Sequence, residues 1–419
     1  MKKLNRNVLA VVICSLSVFV FGCNSSNPVV TPTTTTISGH VLDTYGNPLI
    51  SPATVYIQGK TTTTAGDGSF SIANVTKPYD VYVMSSTGVF GVKGLTIANP
   101  YLPGSINASP ILAISVIIPM VPSGSKATII FQDTVSGKIS GFGEILAGQT
   151  TGSISLGGTN GQQVSGKVYV LQYILSGGVI SSYSGYNVQP LTFNFGGAAS
   201  VSFPNLLGGL GSSTVSGTVN GSGGLNLKAQ LYVNFGNKNN IVHRGGLIQN
   251  IDIAGNTGSF TFTVPTGTSI TPQLNVVAIT LGPPVAQRMK TLIAGSSGAV
   301  ISIDDIPSLL TPANNAVNVD TTTTFSYTNG GGNGIHFIRL TPTGSSGNLF
   351  QIITKETSFT IPNLSAYGYS LGSNAGYSWD DNGKIMDINS TDDFTNQFFD
   401  VNPSVMGITQ SAAFNFTSR

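Results

Sequence analysis

Charged residues are scarce in this chain. Of its 419 residues, 18 are Lys or Arg and 16 are Asp or Glu, so 8% are charged, against about 25% in soluble globular proteins. The sequence has no basic cluster that could neutralise a run of phosphates, which argues against a nucleic-acid partner. Hydrophobic residues still make up 40% of the chain. That fraction is sufficient for packed cores, and the length predicts about two to four domains.

Side chains that carry catalysis are equally sparse. The three histidines are His40, His243 and His336, and none belongs to an H-E-x-x-H zinc motif. The sequence also lacks a G-x-S-x-G nucleophile motif. We therefore predict a protein that is not an enzyme and needs no cofactor. A hydrolase stays open only if folding brings carboxylates together, and residues 89–300 supply just three of them: Asp133, Glu144 and Asp252.

The two cysteines lie near the N-terminus. Residues 1–22 have a basic start followed by an apolar stretch of about fourteen residues, too short to span a membrane, and we interpret them as a signal peptide. Val20-Phe21-Gly22-Cys23 resembles the bacterial lipobox. The resemblance implies lipidation of Cys23 and, with Asn24 after it, an outer-membrane or cell-surface location. The alternative is an ordinary secretory signal with an incidental cysteine.

From residue 37 onward the pattern predicts an all-β protein. Residues 23–36 form a Thr-rich tether, after which short alternating apolar runs are separated by Gly, Asn, Ser and Pro. This spacing favours serial β-sandwich domains. We place the domains at residues 37–104, 105–207, 208–303 and 304–419. The second of these ranges resembles no family that we can name.

Residues 37–104 begin with a segment that resembles the carboxypeptidase regulatory-like domain, a transthyretin-like sandwich. The matching residues are Ile37-Ser38-Gly39-His40-Val41, Asp43, Gly46-Asn47-Pro48-Leu49, Ala53, Val55, Thr63, Asp67-Gly68-Ser69-Phe70, Ile72, Val75 and Tyr79 to Val83. Gly46-Asn47-Pro48 predicts a turn, and Asp67-Gly68 predicts a hairpin. The family resemblance implies a non-catalytic module, so it adds no active site.

A degenerate copy of this module is predicted in residues 208–303. Residues 215–219, 229–233 and 258–262 repeat the patterns of residues 37–41, 53–57 and 68–72, with an insertion near 236–254. Convergent β patterning would give the same similarity.

Residues 304–419 resemble a fibronectin type III or immunoglobulin-like domain. Leu371-Gly372 followed by Tyr377-Ser378-Trp379 is similar to the tyrosine corner of that fold. We predict that Tyr377 and Trp379 are buried on one strand face.

Two sets of residues are candidates for ligand binding. Tyr183 with Tyr186, and Tyr367 with Tyr369, lie in Gly/Ser-rich segments that we interpret as loops, where tyrosines can stack on sugars; buried strand positions are the alternative. Asp380, Asp381 and Asp387 are a weak calcium candidate. Asn382-Gly383 instead favours a hairpin turn with a solvated loop.

These patterns together predict a lipid-anchored cell-envelope protein with a non-catalytic binding or scaffolding role. Its partners would be the membrane, through the anchor, and a glycan or a surface protein. The alternatives are a carbohydrate-binding or adhesion module, an accessory protein of a surface hydrolase, and a structural subunit that accepts a neighbour's strand at an open sheet edge.

Overall fold

The structure, a computed structural model, describes residues 34–419 except 44–45, 106–110, 136, 138, 209, 222–225, 236–244, 269–270, 282–283, 387 and 398–404. The described chain contains thirty strands, one short α-helix and one 3₁₀ turn. The prediction of an all-β protein built from sandwiches is therefore confirmed. None of the helices in the described part has the length and apolar character that crossing a membrane requires.

The first sandwich, which we call unit 1, contains seven strands in two sheets. One sheet has the order β4-β1-β7, with β7 parallel to β1, and the other has the order β3-β2-β5-β6. The predicted turn at Gly46 is confirmed, since Gly46 has φ 81°. Asp67-Gly68 also forms a turn, in which Gly68 has φ 82° and Ser69 donates its N–H to Asp67 Oδ1. The predicted hairpin there was wrong, because β3 pairs with β2 and β4 pairs with β1, so the turn connects the two sheets of the sandwich. The strands are β1 (Thr34–Asp43), β2 (Thr54–Ile57), β3 (Lys60–Thr63), β4 (Ser69–Thr76), β5 (Tyr79–Ser85), β6 (Gly88–Leu95) and β7 (Tyr101–Ser105).

Units 2 and 3 repeat the topology of unit 1. In each, the first strand pairs antiparallel with the fourth and parallel with the seventh, and the remaining four strands form the second sheet in the same order. Unit 2 contains β8 (Ile111–Ile117), β9 (Ser125–Asp133), β10 (Ser140–Ile145), β11 (Thr151–Gly157), β12 (Gln163–Ser176), β13 (Val179–Asn194) and β14 (Ala199–Ser202). Unit 3 contains β15 (Gly211–Asn220), β16 (Leu227–Asn234), β17 (Gly246–Ile253), β18 (Thr257–Thr266), β19 (Gln273–Thr280), β20 (Ala286–Leu292) and β21 (Ala299–Ser302).

The similar segments in the sequence occupy equivalent strands. Residues 37–41 and 215–219 lie in the first strand of their units, and residues 68–72 and 258–262 lie at the fourth. Unit 2, whose sequence resembles no family that we can name, nevertheless has the same strand order. Topology therefore relates the three units where sequence similarity is weak or absent.

Unit 4 is a sandwich of a different kind. Its strand order pairs β22, β24 and β27 in one sheet, and β26, β25, β28 and β30 in the other. Its elements are β22 (Leu309–Thr311), β23 (Ala316–Val319), β24 (Thr324–Tyr327), β25 (Gly334–Pro342), β26 (Phe350–Thr354), β27 (Ser358–Thr360), a 3₁₀ turn (Ser365–Tyr367), β28 (Gly376–Met386), α1 (Thr391–Gln397), β29 (Val405–Thr409) and β30 (Phe414–Ser418).

The predicted burial of Tyr377 and Trp379 is confirmed. Tyr377 and Trp379 are both fully buried, and the Tyr377 hydroxyl donates a hydrogen bond to the backbone oxygen of Asn348 at 3.1 Å. Phe325 meets the Trp379 ring edge-to-face at 5.2 Å. The only tryptophan of the chain is therefore part of the unit 4 core.

Unit 4 joins units 1 and 3 into one continuous sheet. Strand β26 pairs in parallel with β6 of unit 1, and β29 pairs antiparallel with β20 of unit 3. The resulting sheet has fourteen strands. Because each partner adds a row of backbone hydrogen bonds to a sheet edge, these units are connected by more than their linkers.

Units 2 and 3 share a hydrophobic core. Tyr169, Tyr173 and Tyr183 of unit 2 pack in the same cluster as Phe260 and Phe262 of unit 3. Unit 1 contacts unit 2 through polar side chains, where Thr159 donates to Asp43 Oδ2 at 2.8 Å. Each unit thus touches the next along the chain, and unit 4 also touches unit 1.

Candidate functional site

Tyr183 and Tyr186 are not a binding platform, and their assignment to a loop was wrong. Both lie on β13, and both are buried between units 2 and 3. In a regular strand, residues three apart face opposite sides. A bulge in the β12–β13 pairing at Ser184 places both rings on the same side. The Tyr183 hydroxyl donates to the backbone oxygen of Thr263 at 2.8 Å, so it is committed to unit 3.

Tyr367 and Tyr369 lie where unit 4 covers unit 1. Gly368, with φ 84°, ends the 3₁₀ turn and separates the two side chains. The Tyr369 hydroxyl donates to the backbone oxygen of Ser85 at 2.9 Å and so holds the loop against unit 1. The Tyr367 side chain is 40% exposed. Of the four candidate tyrosines, Tyr367 therefore offers the most ring surface to a ligand.

Tyr367 stands beside a row of tyrosines on the sheet of unit 1. Its ring meets Tyr56 at 5.9 Å in an edge-to-face arrangement, and Tyr56 lies 6.2 Å from Tyr82. Tyr56 and Tyr82 are direct cross-strand partners on β2 and β5. The Tyr82 ring lies over Gly91, where an added Cβ would come within 2.7 Å of it. Glycine at that position therefore allows the aromatic row to lie flat on the sheet.

A charged pair borders this row. Asp80 Oδ2 is 2.7 Å from Lys93 Nζ, and it also accepts a 3.4 Å hydrogen bond from the Tyr82 hydroxyl. Burial first, and then the negative charge of Asp80, raise the pKa of Tyr82 well above its usual value. The Tyr82 hydroxyl is therefore a neutral donor across the physiological range. We call Tyr56, Tyr82, Tyr367, Asp80 and Lys93 the tyrosine site.

Sequence reasoning missed Tyr56, Tyr82, Asp80 and Lys93. A signal for Tyr56 was present, because in Thr54-Val55-Tyr56-Ile57 the core-facing residues are Val55 and Ile57. Period-two geometry then places Tyr56 on the opposite face. What the sequence does not show is that unit 4 lies on that face and brings Tyr367 to it.

The calcium candidates make other contacts. Asp380 pairs with Arg339 at 3.0 Å, and Asp381 lies 2.6 Å from His336 Nδ1. Asp387 lies outside the described residues. Among the residues described, no group of three or more His, Cys, Asp or Glu side chains is arranged to hold a metal ion.

The predicted turn at Asn382-Gly383 was also wrong. Both residues lie inside β28, which pairs with β25 on either side of them. Phe337 pairs with Gly383 and Ile338 pairs with Asp381, so Asn382 is the extra residue of a bulge. Pairing over the whole strand outweighs the local turn preference of this dipeptide.

His336 belongs to a buried polar cluster rather than to an accessible site. Its Nε2 lies 2.9 Å from Asn329 Oδ1, and its ring is fully buried. The fully buried Lys384 donates to the backbone oxygens of Asn329, Gly331 and Gly332. Burial lowers the pKa of Lys384 and raises that of Asp381. With no solvent-exposed side chain among them, His336, Asp381 and Lys384 fix the loop that follows β24.

Three other residues singled out in the sequence are His40, His243 and Cys23. His40 is half-buried on β1 and stacks on Tyr101 at 5.4 Å. His243 lies outside the described residues, as does Cys23, and lipidation therefore stays a prediction.

Comparison with known proteins gives similarity of fold only. No family model matches the sequence, and no curated protein matches it. The structure is similar to the Bacillus anthracis TIE protein, with 12% identity and a TM-score of 0.17, over 64% of this chain. This chain spans half (50%) of the length of that protein.

Two further solved structures show the same degree of similarity. A tetra-tandem repeat from the extending region of a large adhesion protein is 12% identical, with a TM-score of 0.18, over 92% of this chain and 100% of the other. The FN1–FN3 domains of chicken CNTN1 are 10% identical, with a TM-score of 0.16, over 81% and 94%. These low scores carry no functional inference.

Proposed function

We propose that this chain is a lipid-anchored cell-envelope protein that binds saccharides without catalysis, and that the tyrosine site is its binding surface. The observation that carries the proposal is the exposed Tyr367 ring standing edge-on to Tyr56. Tyr56 is followed in the row by the buried Tyr82, which contacts the Asp80–Lys93 ion pair. Flat aromatic surface next to fixed polar groups suits a sugar, whose C–H face packs on a ring while its hydroxyls form hydrogen bonds.

The arrangement is rigid in the way that binding sites require. Tyr56 lies on a strand, Tyr369 fixes the loop that carries Tyr367, and the Asp80 carboxylate is held by Lys93 and by the backbone N–H of Gly94 at 2.9 Å. Side chains that are already ordered lose little entropy when a ligand binds. A protein ligand at the same surface is the competing interpretation.

The proposal also gives a role to the lipid anchor and to the β-sandwich units. Acyl chains on Cys23 would hold the protein at the membrane, residues 24–36 would give reach, and units 1 and 3 would be non-catalytic modules of the carboxypeptidase regulatory-like type. The shared topology of units 1 to 3 supports this view.

A glycan screen with the mature chain, residues 23–419 carrying Cys23→Ser, tests the binding proposal. Tyr367→Ala should reduce saccharide binding at least about fivefold, since a stacked aromatic ring contributes of the order of 1 kcal/mol or more. Tyr101→Ala is the matched control, because Tyr101 is 41% exposed and also stacks on a neighbouring ring. Equal binding by the two variants would contradict the assignment of the site, and capture of proteins but no glycans would favour the competing interpretation.

Membrane retention tests the anchor separately. Cys23→Ser in the full precursor should abolish acyl labelling, and it should release the protein from the membrane fraction. Native protein that carries no acyl chain would disprove the lipoprotein assignment and leave the saccharide site untouched.

A further inference from the structure

The end of unit 2 that lies farthest from unit 1 is built from three uncharged loops. Strand β8 begins at Ile111, which pairs with Gly157 near the Thr159 contact to unit 1, and it ends at Ile117. Residues 117–125, 145–152 and 174–181 surround that far end and contain no Asp, Glu, Lys, Arg or His.

Apolar side chains project from these loops into solvent. We call four of them the apolar tip: Met120 is 66% exposed, Val179 47%, Leu146 46% and Ile174 40%. A fifth, Ile117 at the end of β8, is 42% exposed. Pro119 and Pro122 are also exposed between them. Backbone hydrogen bonds place the loops side by side, because Gly148 donates to Val121 at 2.8 Å and Leu175 donates to Gly124 at 2.8 Å. Clustered exposure of this kind indicates an interaction surface, whereas scattered apolar residues do not.

The loops can leave water at low cost because they satisfy many of their own polar groups. The N–H groups of Ile118 and Val121 donate to the backbone oxygens of Thr150 and Gln149, at 2.9 and 3.0 Å. The Leu146 N–H donates to Gln149 Oε1 at 3.1 Å. Prolines add no donor. Backbone groups that are already bonded remove the main penalty for transfer into a lipid environment.

We propose that the apolar tip inserts into the surface of an electrically neutral lipid bilayer. The hydrogen bonding of the loops decides between a bilayer and a second copy of this chain. A typical protein interface carries about ten direct hydrogen bonds, whereas a bilayer offers no hydrogen-bond partners and suits loops whose backbone groups are already bonded. A bilayer needs no complementary shape, and each apolar side chain that enters it contributes separately. The loops themselves carry no charge, and the flanking Lys126 and Glu144 pair with each other at 3.5 Å, so the tip fits uncharged lipid rather than an anionic or a cationic partner.

Flotation with phosphatidylcholine vesicles tests the proposal. The mature chain with Cys23→Ser, which lacks the acyl anchor, should float with the vesicles equally at low and high salt. Met120→Asp and Leu146→Asp should each weaken vesicle partitioning at least about tenfold, because each places a charge at the lipid surface. Both positions are exposed, so the variants should keep the circular dichroism and the unfolding midpoint of the parent.

Matched controls are available on other units. Ile293 on unit 3 and Val317 on unit 4 are 76% and 68% exposed, and aspartate at either position should leave flotation unchanged. Absence of flotation, or flotation that the tip variants do not weaken, would overturn the proposal. A parent that forms dimers which Met120→Asp dissociates, without binding vesicles, would assign the tip to a second copy of the chain instead. Neither result bears on the tyrosine site.

Discussion

Unit 1 has two neighbours, and it is joined to them in opposite ways. To unit 2, which follows it in the sequence, it is joined by polar side chains: Thr159 donates to Asp43, and the Asn47 amide donates to Thr159 Oγ1 at 3.1 Å. To unit 4, more than two hundred residues away, it is joined by parallel pairing of β26 with β6. The neighbour in sequence is attached weakly and the distant one strongly.

The junction with unit 4 also exchanges core residues. Ile388 and Phe394, around the helix of unit 4, are buried in the core of unit 1. In return, Tyr82 and Met84 of unit 1 belong to the core cluster of unit 4. The Asp392 carboxylate accepts hydrogen bonds from the N–H groups of Thr96, at 2.8 Å, and of Ile97. Neither core is complete without the other unit, so units 1 and 4 should unfold together.

The equivalent edge strands of units 1 to 3 show the same contrast. In units 1 and 3 the sixth strand, β6 or β20, is paired with a strand of unit 4. In unit 2 the sixth strand is β13, where Tyr186 exchanges backbone hydrogen bonds with Leu207 and where Pro190 supplies no N–H. Proline and a covering segment are common protections of an edge strand. In units 1 and 3 the sixth strand therefore pairs with unit 4, whereas in unit 2 the same strand is covered by its own chain.

The largest effect should follow from truncating a side chain of the strong junction. Phe350 is fully buried at the start of β26 and pairs with Val89 of β6. Phe350→Ala should cost about 3–5 kcal/mol, as loss of a large aromatic side chain from a core does. Hydrogen exchange should increase in both β6 and β28, because the two units share this core.

The matched control for that experiment is in unit 2. Phe131→Ala removes an equally buried ring and should increase exchange in β9 and β12 while leaving β6 protected. If Phe350→Ala increases exchange in unit 4 alone, the two cores are independent.

The second-largest effect should be a loss of stability at alkaline pH, at the apolar junction of units 2 and 3. Burial raises the pKa of Tyr169, at the junction of units 2 and 3, to about 12, with a smaller contribution from Tyr186. The unfolded chain ionises its tyrosines near pH 10, so the stability is complete below pH 10 and is lost as pH rises towards 12. Each pH unit in that window should cost about 1.4 kcal/mol for this tyrosine.

Urea unfolding at pH 9 and pH 11 measures this loss. Tyr169→Phe should make unfolding less sensitive to pH, whereas Tyr101→Phe, at an exposed position, should not. An equal effect of the two variants would show that Tyr169 ionises without opening the junction.

Local structure was predictable from the sequence where it depended on neighbouring residues. The turn at Asp67-Gly68 and the buried pair Tyr377 and Trp379 follow from turn chemistry and from period-two alternation. That this turn connects two sheets, instead of closing a hairpin, depends on distant pairing partners. Tyr183 with Tyr186, and Asn382, were interpreted wrongly because each depends on a bulge, and a bulge is set by the partner strand.

Only part of the tyrosine site was predictable from the sequence, because its residues are far apart in the chain. Tyr367 was a candidate from its Gly/Ser-rich segment, but its partners Tyr56 and Tyr82 are about three hundred residues away in the chain. Only the pairing of β26 with β6 brings the two groups together, and no local pattern encodes that pairing.

A smaller effect is expected for the polar contact within the strong junction. Asp392→Ala removes the acceptor for Thr96 and Ile97 and should cost about 1–2 kcal/mol, since hydrogen bonds to a charged group are worth more than neutral ones but are reduced by exposure. Exchange at the Thr96 and Ile97 amides should increase. Asp393→Ala, one residue along α1, is the control, and an equal cost for both would assign the effect to the helix alone.

The smallest effect should come from the weak junction. Thr159→Ala removes the hydroxyl that links Asp43 and Asn47 across units 1 and 2, and it should cost less than about 1 kcal/mol because the groups remain partly in water and can bond to it. Thr192→Ala is the control, since it breaks a comparable 2.9 Å hydroxyl contact with Ser165 inside unit 2.

If Thr159 only orients the units, its variant should match the control in unfolding free energy yet broaden the distribution of distances between spin labels on units 1 and 2. Because unit 4 holds unit 1 from the other side, that broadening should be larger when Thr159→Ala is combined with Phe350→Ala than the sum of the two single changes. A strictly additive result would mean that the two junctions of unit 1 do not support each other.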